Sequence, residues 1–161
     1  MKNRFFYFAA FSAISAILGA SNYASATTWY TGFAGIECHS NAYDCITYNS
    51  GLACNTCDSA VYFDCPVSQT TGSSDTVDID GRVYVLDANS SAQVRCRLRC
   101  TDPSTLTYYY SDFEYSDDGI DILYFDTITC DESWAASVVC LVPAESTEPS
   151  CVSGYVTYIS D

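Results

Sequence analysis

Ten cysteines in a chain of 161 residues constrain this protein more than any other feature of its sequence. An even number of cysteines at this density is typical of an exported protein whose thiols are oxidised to disulfides. The ten are Cys38, Cys45, Cys54, Cys57, Cys65, Cys96, Cys100, Cys130, Cys140 and Cys151. Ten cysteines can pair in hundreds of ways, so the count predicts disulfides without predicting their connectivity.

The N-terminus has the pattern of a secretory signal peptide. Lys2 and Arg4 precede an apolar run at residues 5–18, and the small residues Ala24, Ser25 and Ala26 form a site that a signal peptidase accepts. The run is short for a bilayer span, which argues against the alternative of a membrane anchor. We therefore expect residues 1–26 to be removed and residues 27–161 to form a single secreted or periplasmic domain that does not insert into membranes.

The predicted mature region is strongly acidic. Residues 27–161 keep four arginines and all twenty acidic residues, and the whole chain has a formal net charge of −14. Nucleic-acid backbones and anionic membranes require a basic surface, so the charge argues against both as partners. The acidity suits either a salty medium or solubility in general.

Much of the mature region alternates with a period of two, which is typical of strands with one buried face. Val77, Ile79, Val83 and Val85 are predicted core positions, and Gly81 between them predicts a bulge or bend. A second alternating run is predicted to bury Val94, Cys96, Leu98 and Cys100 and to expose Arg95, Arg97 and Arg99. Further strands are predicted at residues 62–65, 106–115, 120–130, 134–142 and 151–159.

Turn signals separate these runs, and Asp118-Gly119 in particular predicts a hairpin. Seven or so short strands at this spacing predict an all-β fold, a disulfide-stapled antiparallel β-sandwich. Residues 27–59 are rich in glycine, asparagine, serine and cysteine, and predict a cysteine-rich N-terminal region of loops with short strands.

Four short motifs occur in order along the chain: VYFDCPV at residues 61–67, VRCRL at 94–98, VVCLVP at 138–143 and GYVTY at 154–158. With the upstream Cys38, this arrangement resembles a loosely defined group of exported bacterial β-sandwich proteins. The resemblance covers most of residues 33–160 and implies a fold and export, but no activity. Six further cysteines depart from the group's pattern: Cys45, Cys54, Cys57, Cys100, Cys130 and Cys151.

Strand geometry restricts the disulfides. Cys96 and Cys100 share a strand face about 13 Å apart, whereas bonded cysteines have Cα atoms within about 7 Å. Each therefore needs a partner on another strand, and we hypothesise Cys140 for Cys96 and Cys130 for Cys100. A Cys38–Cys65 bridge would tie the N-terminal region to the sandwich.

Cys54 and Cys57 have the C-x-x-C spacing of thiol–disulfide redox sites and of zinc sites. A redox site normally begins a helix, and no helical pattern follows Cys57. Zinc would require a second motif of this kind, which the sequence lacks. We therefore expect both cysteines to be structural.

Two groups of carboxylates suggest a weak candidate calcium site. Asp78 and Asp80 precede Gly81, with Asp87 beyond it, and Asp117 and Asp118 precede Gly119, with Asp121 beyond it. Clustered carboxylates at turns can supply the oxygens that Ca²⁺ requires. The alternative is a solvated acidic face that keeps sheet edges from pairing. Apart from calcium, no cofactor is predicted.

Arg95, Arg97 and Arg99 are the one basic feature of the mature region. They are candidate ligands for a small anion or an acidic glycan. The alternative, which we favour, is cross-strand pairing with carboxylates such as Glu114, Asp112 or Asp126.

Catalytic signals are sparse. His39 is the sole histidine, no G-x-S-x-G motif is present and no lysine follows the predicted cleavage site. We therefore expect a non-catalytic extracellular protein that binds a glycan or a protein or serves a structural role. The alternatives are a carbohydrate-binding module and a hydrolase that uses His39 or a carboxylate pair.

Overall fold

The computed structural model describes residues 28–67, 76–131 and 133–160. The predicted signal peptide lies outside the described residues. Within them the chain forms eleven strands and two short 3₁₀ helices, Gly35–Glu37 and Tyr43–Cys45. The strands are β1 (Thr28–Ala34), β2 (Ile46–Asn49), β3 (Leu52–Asn55), β4 (Val61–Val67), β5 (Thr76–Asp87), β6 (Arg95–Asp102), β7 (Thr107–Tyr110), β8 (Glu114–Tyr115), β9 (Gly119–Asp131), β10 (Ala135–Val142) and β11 (Ser150–Ser160).

The strands form two antiparallel sheets. The first has the order β2-β3-β11-β5-β9, and β1 pairs with the second half of β11 beyond β3. The second has the order β4-β10-β6-β7, and β8 pairs with the beginning of β6. The short strands expected in residues 27–59 are β1, β2 and β3, and they extend the first sheet.

The core lies between the two sheets and confirms the predicted alternation. In β6 the inward residues Cys96, Leu98 and Cys100 are buried, while the intervening arginines are half-buried. Val77, Ile79, Val83 and Val85 of β5 are buried as predicted.

Tyr155 of β11 crosses the core and donates a hydrogen bond to the carbonyl of Pro66 in β4, at 2.6 Å. Burial raises the pKa of Tyr155, to which the charges of Glu37 and Asp64 contribute. The all-β sandwich is therefore confirmed.

Gly81 forms the predicted bulge. The register between β5 and β9 shifts between Ile79 and Gly81, so the two short runs expected there join into one twelve-residue strand. A Cβ atom on Gly81 would lie 2.4 Å from the carbonyl oxygen of Val156, so glycine permits the close approach of β11.

The predicted hairpin at Asp118-Gly119 is wrong. Gly119 does have a positive φ of 94°, but the strands on either side belong to different sheets. The preceding strand β8 pairs with β6, and the following strand β9 pairs with β5. The turn therefore carries the chain from one sheet to the other. A hairpin does not form because β8 and β9 each pair with a strand farther away in sequence and not with each other.

The strand predicted at residues 106–115 is interrupted. Ser111 separates β7 from β8, and its hydroxyl accepts a hydrogen bond from the Leu98 amide at 2.9 Å. The Ser111 amide donates to the Leu98 carbonyl at 3.1 Å. A side chain thus replaces one backbone acceptor of the ladder, and regular pairing stops there.

Five disulfides cross-link the described residues, and no cysteine there is free. The pairs are Cys38–Cys65, Cys45–Cys57, Cys54–Cys151, Cys96–Cys140 and Cys100–Cys130. Three of them are the hypothesised pairs. Cys54 and Cys57, which share the C-x-x-C spacing, bond to different partners and not to each other.

The search for transmembrane helices gives a negative result: in the described part of the chain, no helix has the length and apolar character needed to cross a bilayer.

Candidate functional site

Arginine and aromatic side chains cover the outer face of the second sheet. Strand parity places the arginines of β6 on this face, opposite the buried cysteines. The neighbouring strands and the segment before β8 add aromatic rings and one carboxylate. We call this surface the arginine–aromatic face, and it comprises Tyr62, Asp64, Arg95, Arg97, Arg99, Tyr108, Tyr110, Phe113 and Tyr115.

Arg97 lies at the centre of the face between two aromatic rings. Its guanidinium carbon is 3.6 Å from the centroid of Tyr110 and 4.2 Å from that of Phe113. Arg95 also contacts Phe113, at 5.1 Å, and Arg99 contacts Tyr108 at 5.5 Å. These distances are in the range of cation–π attraction, so the rings hold the arginine stripe in place.

Arg99 also pairs with Asp64, two strands away on β4. The partners predicted from sequence, Glu114, Asp112 and Asp126, form no ion pair with the three arginines in the described part of the chain. Glu114 lies opposite Cys96 in the pairing of β8 with β6, so strand parity directs its side chain away from the arginines. Asp126 lies on β9 in the other sheet, and Asp112 lies in the break between β7 and β8.

The run of three tyrosines divides between two sides of β7. Tyr108 and Tyr110 lie on the arginine–aromatic face with their ring centroids 6.2 Å apart. Tyr109 stacks on Trp134 instead, with centroids 4.9 Å apart. Tyr108 is 48% exposed and Tyr110 is 41% exposed. The face therefore presents aromatic rings to solvent beside fixed cations.

Three hollows lie one after another along β6, and each is bordered by an arginine and by the β10 residue directly opposite it; Arg99 also lines the middle hollow. The hollows are 240 Å³ at Arg95 and Leu141, 300 Å³ at Arg97 and Val139, and 310 Å³ at Arg99 and Ser137. Successive arginines on one strand face are about 7 Å apart. The hollows thus form a row along the sheet, and we name them the Arg95, Arg97 and Arg99 hollows.

His39 is exposed and lines the Arg99 hollow together with Asp64 and Ser137. Backbone hydrogen bonds of 2.8 and 2.7 Å hold His39 against Asp64. The Asp64 carboxylate pairs with Arg99, and the Ser137 hydroxyl has no hydrogen-bond partner. Among the described residues, therefore, the serine–histidine and histidine–carboxylate hydrogen bonds of a catalytic triad are not formed.

The two groups of calcium candidates lie far apart. Asp78 pairs with Thr129 and accepts its hydroxyl hydrogen bond at 2.6 Å, whereas Gly119 pairs with Asp87 at the other end of β5. Nine residues of strand separate these levels, about 30 Å. Asp80 lies near Asp78, and burial raises the pKa of its carboxyl. Asp117 and Asp118 are exposed and adjoin Gly119. Across the described ranges, no three histidine, cysteine or acidic side chains form a group that could hold a metal ion.

The outer face of the first sheet carries a smaller aromatic patch. Arg82 lies 5.5 Å from the ring centroid of Tyr84 and borders a 440 Å³ hollow with Tyr158. Tyr124 on β9 is 61% exposed on this sheet. This patch has one arginine where the arginine–aromatic face has three.

The arginines of this face were predictable from the sequence, but the aromatic residues around them were not. The sequence does show that Tyr108 and Tyr110 lie on the same face of their strand. Their position beside the arginines, however, depends on the pairing of β7 with β6, in which Tyr110 lies opposite Arg99. Tyr62 and Asp64 reach the face from a strand more than thirty positions away in sequence, and no local pattern indicates that proximity.

The structure resembles solved structures that share little sequence with this chain. The mosquito-larvicidal Cry4Aa toxin of Bacillus thuringiensis matches with a TM-score of 0.48 and 6% identity, over 82% of this chain and 23% of the toxin. A mutant of the family 29 carbohydrate-binding module CBM29-2, complexed with cellulohexaose, matches with a TM-score of 0.46 and 10% identity, over 81% and 91% of the two chains. CBM29_1 from Piromyces equi matches with a TM-score of 0.41 and 8% identity, over 84% and 92%. The chain thus spans about a quarter of the toxin and most of each binding module.

No family model matches the sequence, and the search of curated proteins finds no match.

Proposed function

We propose that this protein is a non-catalytic extracellular binding module that holds a polysaccharide along its arginine–aromatic face. One observation carries the proposal: three hollows follow one another along β6, each beside an arginine, and exposed tyrosine rings line two of them. A row of hollows along one strand suits a ligand that is itself extended.

The chemistry of the face supports a sugar ligand. Exposed tyrosines offer flat apolar surfaces on which the C–H faces of sugar rings can stack, while guanidinium groups donate hydrogen bonds to sugar hydroxyls. Tyr62, Tyr110 and Tyr115 are 41 to 52% exposed and line the Arg95 and Arg97 hollows. Ordering of such rings costs little conformational entropy, because each has two rotatable bonds.

The rigidity of the face supports the same proposal. Arg97 is held between two rings, Arg99 is held by Asp64, and the Cys96–Cys140 disulfide joins β6 to β10 directly beneath them. A surface whose side chains are already ordered loses less entropy on binding. Five disulfides are typical of a protein that works in an oxidising compartment, where extracellular polysaccharides are found.

The test is binding of the oxidised protein to a panel of soluble neutral and acidic polysaccharides, measured by affinity electrophoresis and calorimetry. We expect at least one to bind. Tyr110→Ala and Tyr108→Ala should each weaken that binding about tenfold, which corresponds to about 1.4 kcal/mol. Tyr124→Ala is the matched control, since Tyr124 is an exposed tyrosine on the other sheet.

Thermal unfolding of each variant shows whether the fold is intact. The proposal is overturned if the wild-type protein binds no polysaccharide, or if Tyr124→Ala weakens binding as much as folded Tyr110→Ala and Tyr108→Ala do.

A further inference from the structure

The Arg99 hollow contains polar groups that the fold leaves without partners. Ser137 is 6% exposed, yet its hydroxyl makes no hydrogen bond. It stands directly opposite Arg99 on the neighbouring strand, so both side chains project toward the same outer face. The Nε of Arg99 is also buried without a partner, as are those of Arg97 and Arg82, so the Ser137 hydroxyl is the group that distinguishes this hollow. Buried polar groups in proteins are normally paired, so two unpaired donors in one hollow indicate a ligand that accepts hydrogen bonds.

The charge of the surrounding face indicates that this ligand is anionic. Three of the six basic residues of the chain lie on β6, within a protein of formal net charge −14. Among the described strand positions whose side chains lie on this outer face, there are three guanidinium groups and one carboxylate, that of Asp64. Because Asp64 compensates Arg99 alone, the face keeps an excess of positive charge in an otherwise acidic molecule.

The shape of the donor set favours a carboxylate. A guanidinium is planar and offers parallel N–H groups that match the two oxygens of a carboxylate. Arg99 already uses one of its terminal nitrogens for the Asp64 carboxylate and keeps its Nε side unpaired. The hydroxyl of Ser137 adds a further donor. Pro66, Ala135 and Ala136 supply apolar walls beside these groups, suited to the C–H face of a sugar ring.

We propose that the Arg99 hollow binds the carboxylate of a uronic acid unit, and therefore that the ligand of the arginine–aromatic face is an acidic polysaccharide. This inference rests on the proposed function and names its substrate class. The Arg95 and Arg97 hollows would hold neighbouring units of the same chain, because they continue the row along β6.

The experiment compares each acidic polysaccharide with its own uncharged form. Polygalacturonate and alginate are each tested beside their methyl esters, which keep the backbone and remove the charge, and beside a neutral glucomannan and dextran sulfate. We expect at least one uronate polymer to bind ten or more times tighter than its ester, with an affinity that falls as salt increases.

Variants assign that preference to the hollow. Ser137→Ala should reduce the acid-to-ester affinity ratio several-fold, and Arg99→Gln should reduce it further, to the part that Arg95 and Arg97 supply. Arg82→Gln is the matched control, because Arg82 is an arginine on the outer face of the other sheet and should leave the ratio unchanged. Ser137→Ala removes one oxygen atom, so it keeps the test decisive even if Arg99→Gln is unstable.

The outcomes separate this inference from the proposed function. Binding of glucomannan or of the esters as tightly as of the uronate polymers would overturn the inference and leave the polysaccharide-binding function standing. Tighter binding of dextran sulfate than of either uronate would overturn the assignment to a carboxylate. A preference that is undiminished in folded Ser137→Ala and Arg99→Gln would overturn the location. Failure to bind any polysaccharide would overturn both proposals.

Discussion

Cys100 of β6 and Cys130 of β9 form a disulfide that joins the two sheets of the sandwich. Both residues are completely buried, and their Cα atoms are 5.9 Å apart. Cys96–Cys140 and Cys54–Cys151, by contrast, each join neighbouring strands of one sheet. The Cys100–Cys130 bridge therefore restrains the position of one sheet relative to the other, which the backbone hydrogen bonds within each sheet do not.

Removal of this bridge should weaken the fold. The double variant Cys100→Ala/Cys130→Ala is expected to lose about 2–4 kcal/mol of unfolding free energy, because the unfolded chain gains entropy and the two sheets lose their covalent link. Urea unfolding followed by tryptophan fluorescence measures the loss. Cys45→Ala/Cys57→Ala is the control, since that bridge spans 12 residues instead of 30 and should cost less. An equal or larger loss in the control would contradict the inter-sheet argument.

Asp87 should be the most sensitive acidic residue in the described part of the chain. It is 2% exposed, and its carboxylate accepts hydrogen bonds from the amides of Asn89 and Val94 and from the hydroxyls of Ser116 and Ser150. Asp87→Asn turns one acceptor into a donor that faces other donors, so we expect a loss of about 3 kcal/mol. Chemical denaturation measures it.

The control for that substitution is Asp126→Asn, because Asp126 is exposed on β9. We expect a change within about 0.5 kcal/mol there. Similar losses in both variants would show that the effect comes from net charge and not from the buried hydrogen bonds.

Gly81 and Gly32 provide a matched test of the close approach between β5 and β11. A Cβ at Gly81 would lie 2.4 Å from a backbone oxygen of Val156, whereas one at Gly32 would lie 3.6 Å from a methyl group of the same residue. We expect Gly81→Ala to destabilise the protein by about 1–3 kcal/mol through overpacking. Gly32→Ala should be neutral or slightly stabilising, because alanine restricts the unfolded chain. Equal melting temperatures for the two variants would refute the steric argument.

Asp102 should titrate at unusually low pH. The hydroxyls of Thr105 and Ser104 and the Ser104 amide donate to its carboxylate and lower its pKa to about 2. A pKa that is lower in the folded state stabilises the fold above the unfolded value, and this contribution is lost as the pH falls toward 2. A carboxyl-carbon NMR titration measures the midpoint. In Thr105→Ala the midpoint should move up toward the ordinary aspartate value, and an unmoved midpoint would contradict the assignment.

The alternation of cysteine and arginine from Arg95 to Cys100 could be interpreted locally, because successive side chains on a strand point to opposite faces. That rule correctly predicted a buried cysteine face and an outer arginine face on β6, and it implied that Cys96 and Cys100 bond to other strands. The bulge at Gly81 was also predictable locally, since a glycine within a strand pattern often marks a bulge or a close approach of another backbone.

Long-range pairing decided the rest. Arg99 reaches Asp64 across the intervening strand β10 because the sheet order places both side chains on one outer face, and Asp118-Gly119 fails to form a hairpin because β8 and β9 pair with strands of opposite sheets. The order of strands in a sheet depends on which apolar surfaces fit together across the core, a sum over contacts far apart in sequence. Local alternation therefore predicted which residues lie on the outer face of β6, whereas packing of the two sheets placed the rings, the carboxylate and the unpaired serine around them.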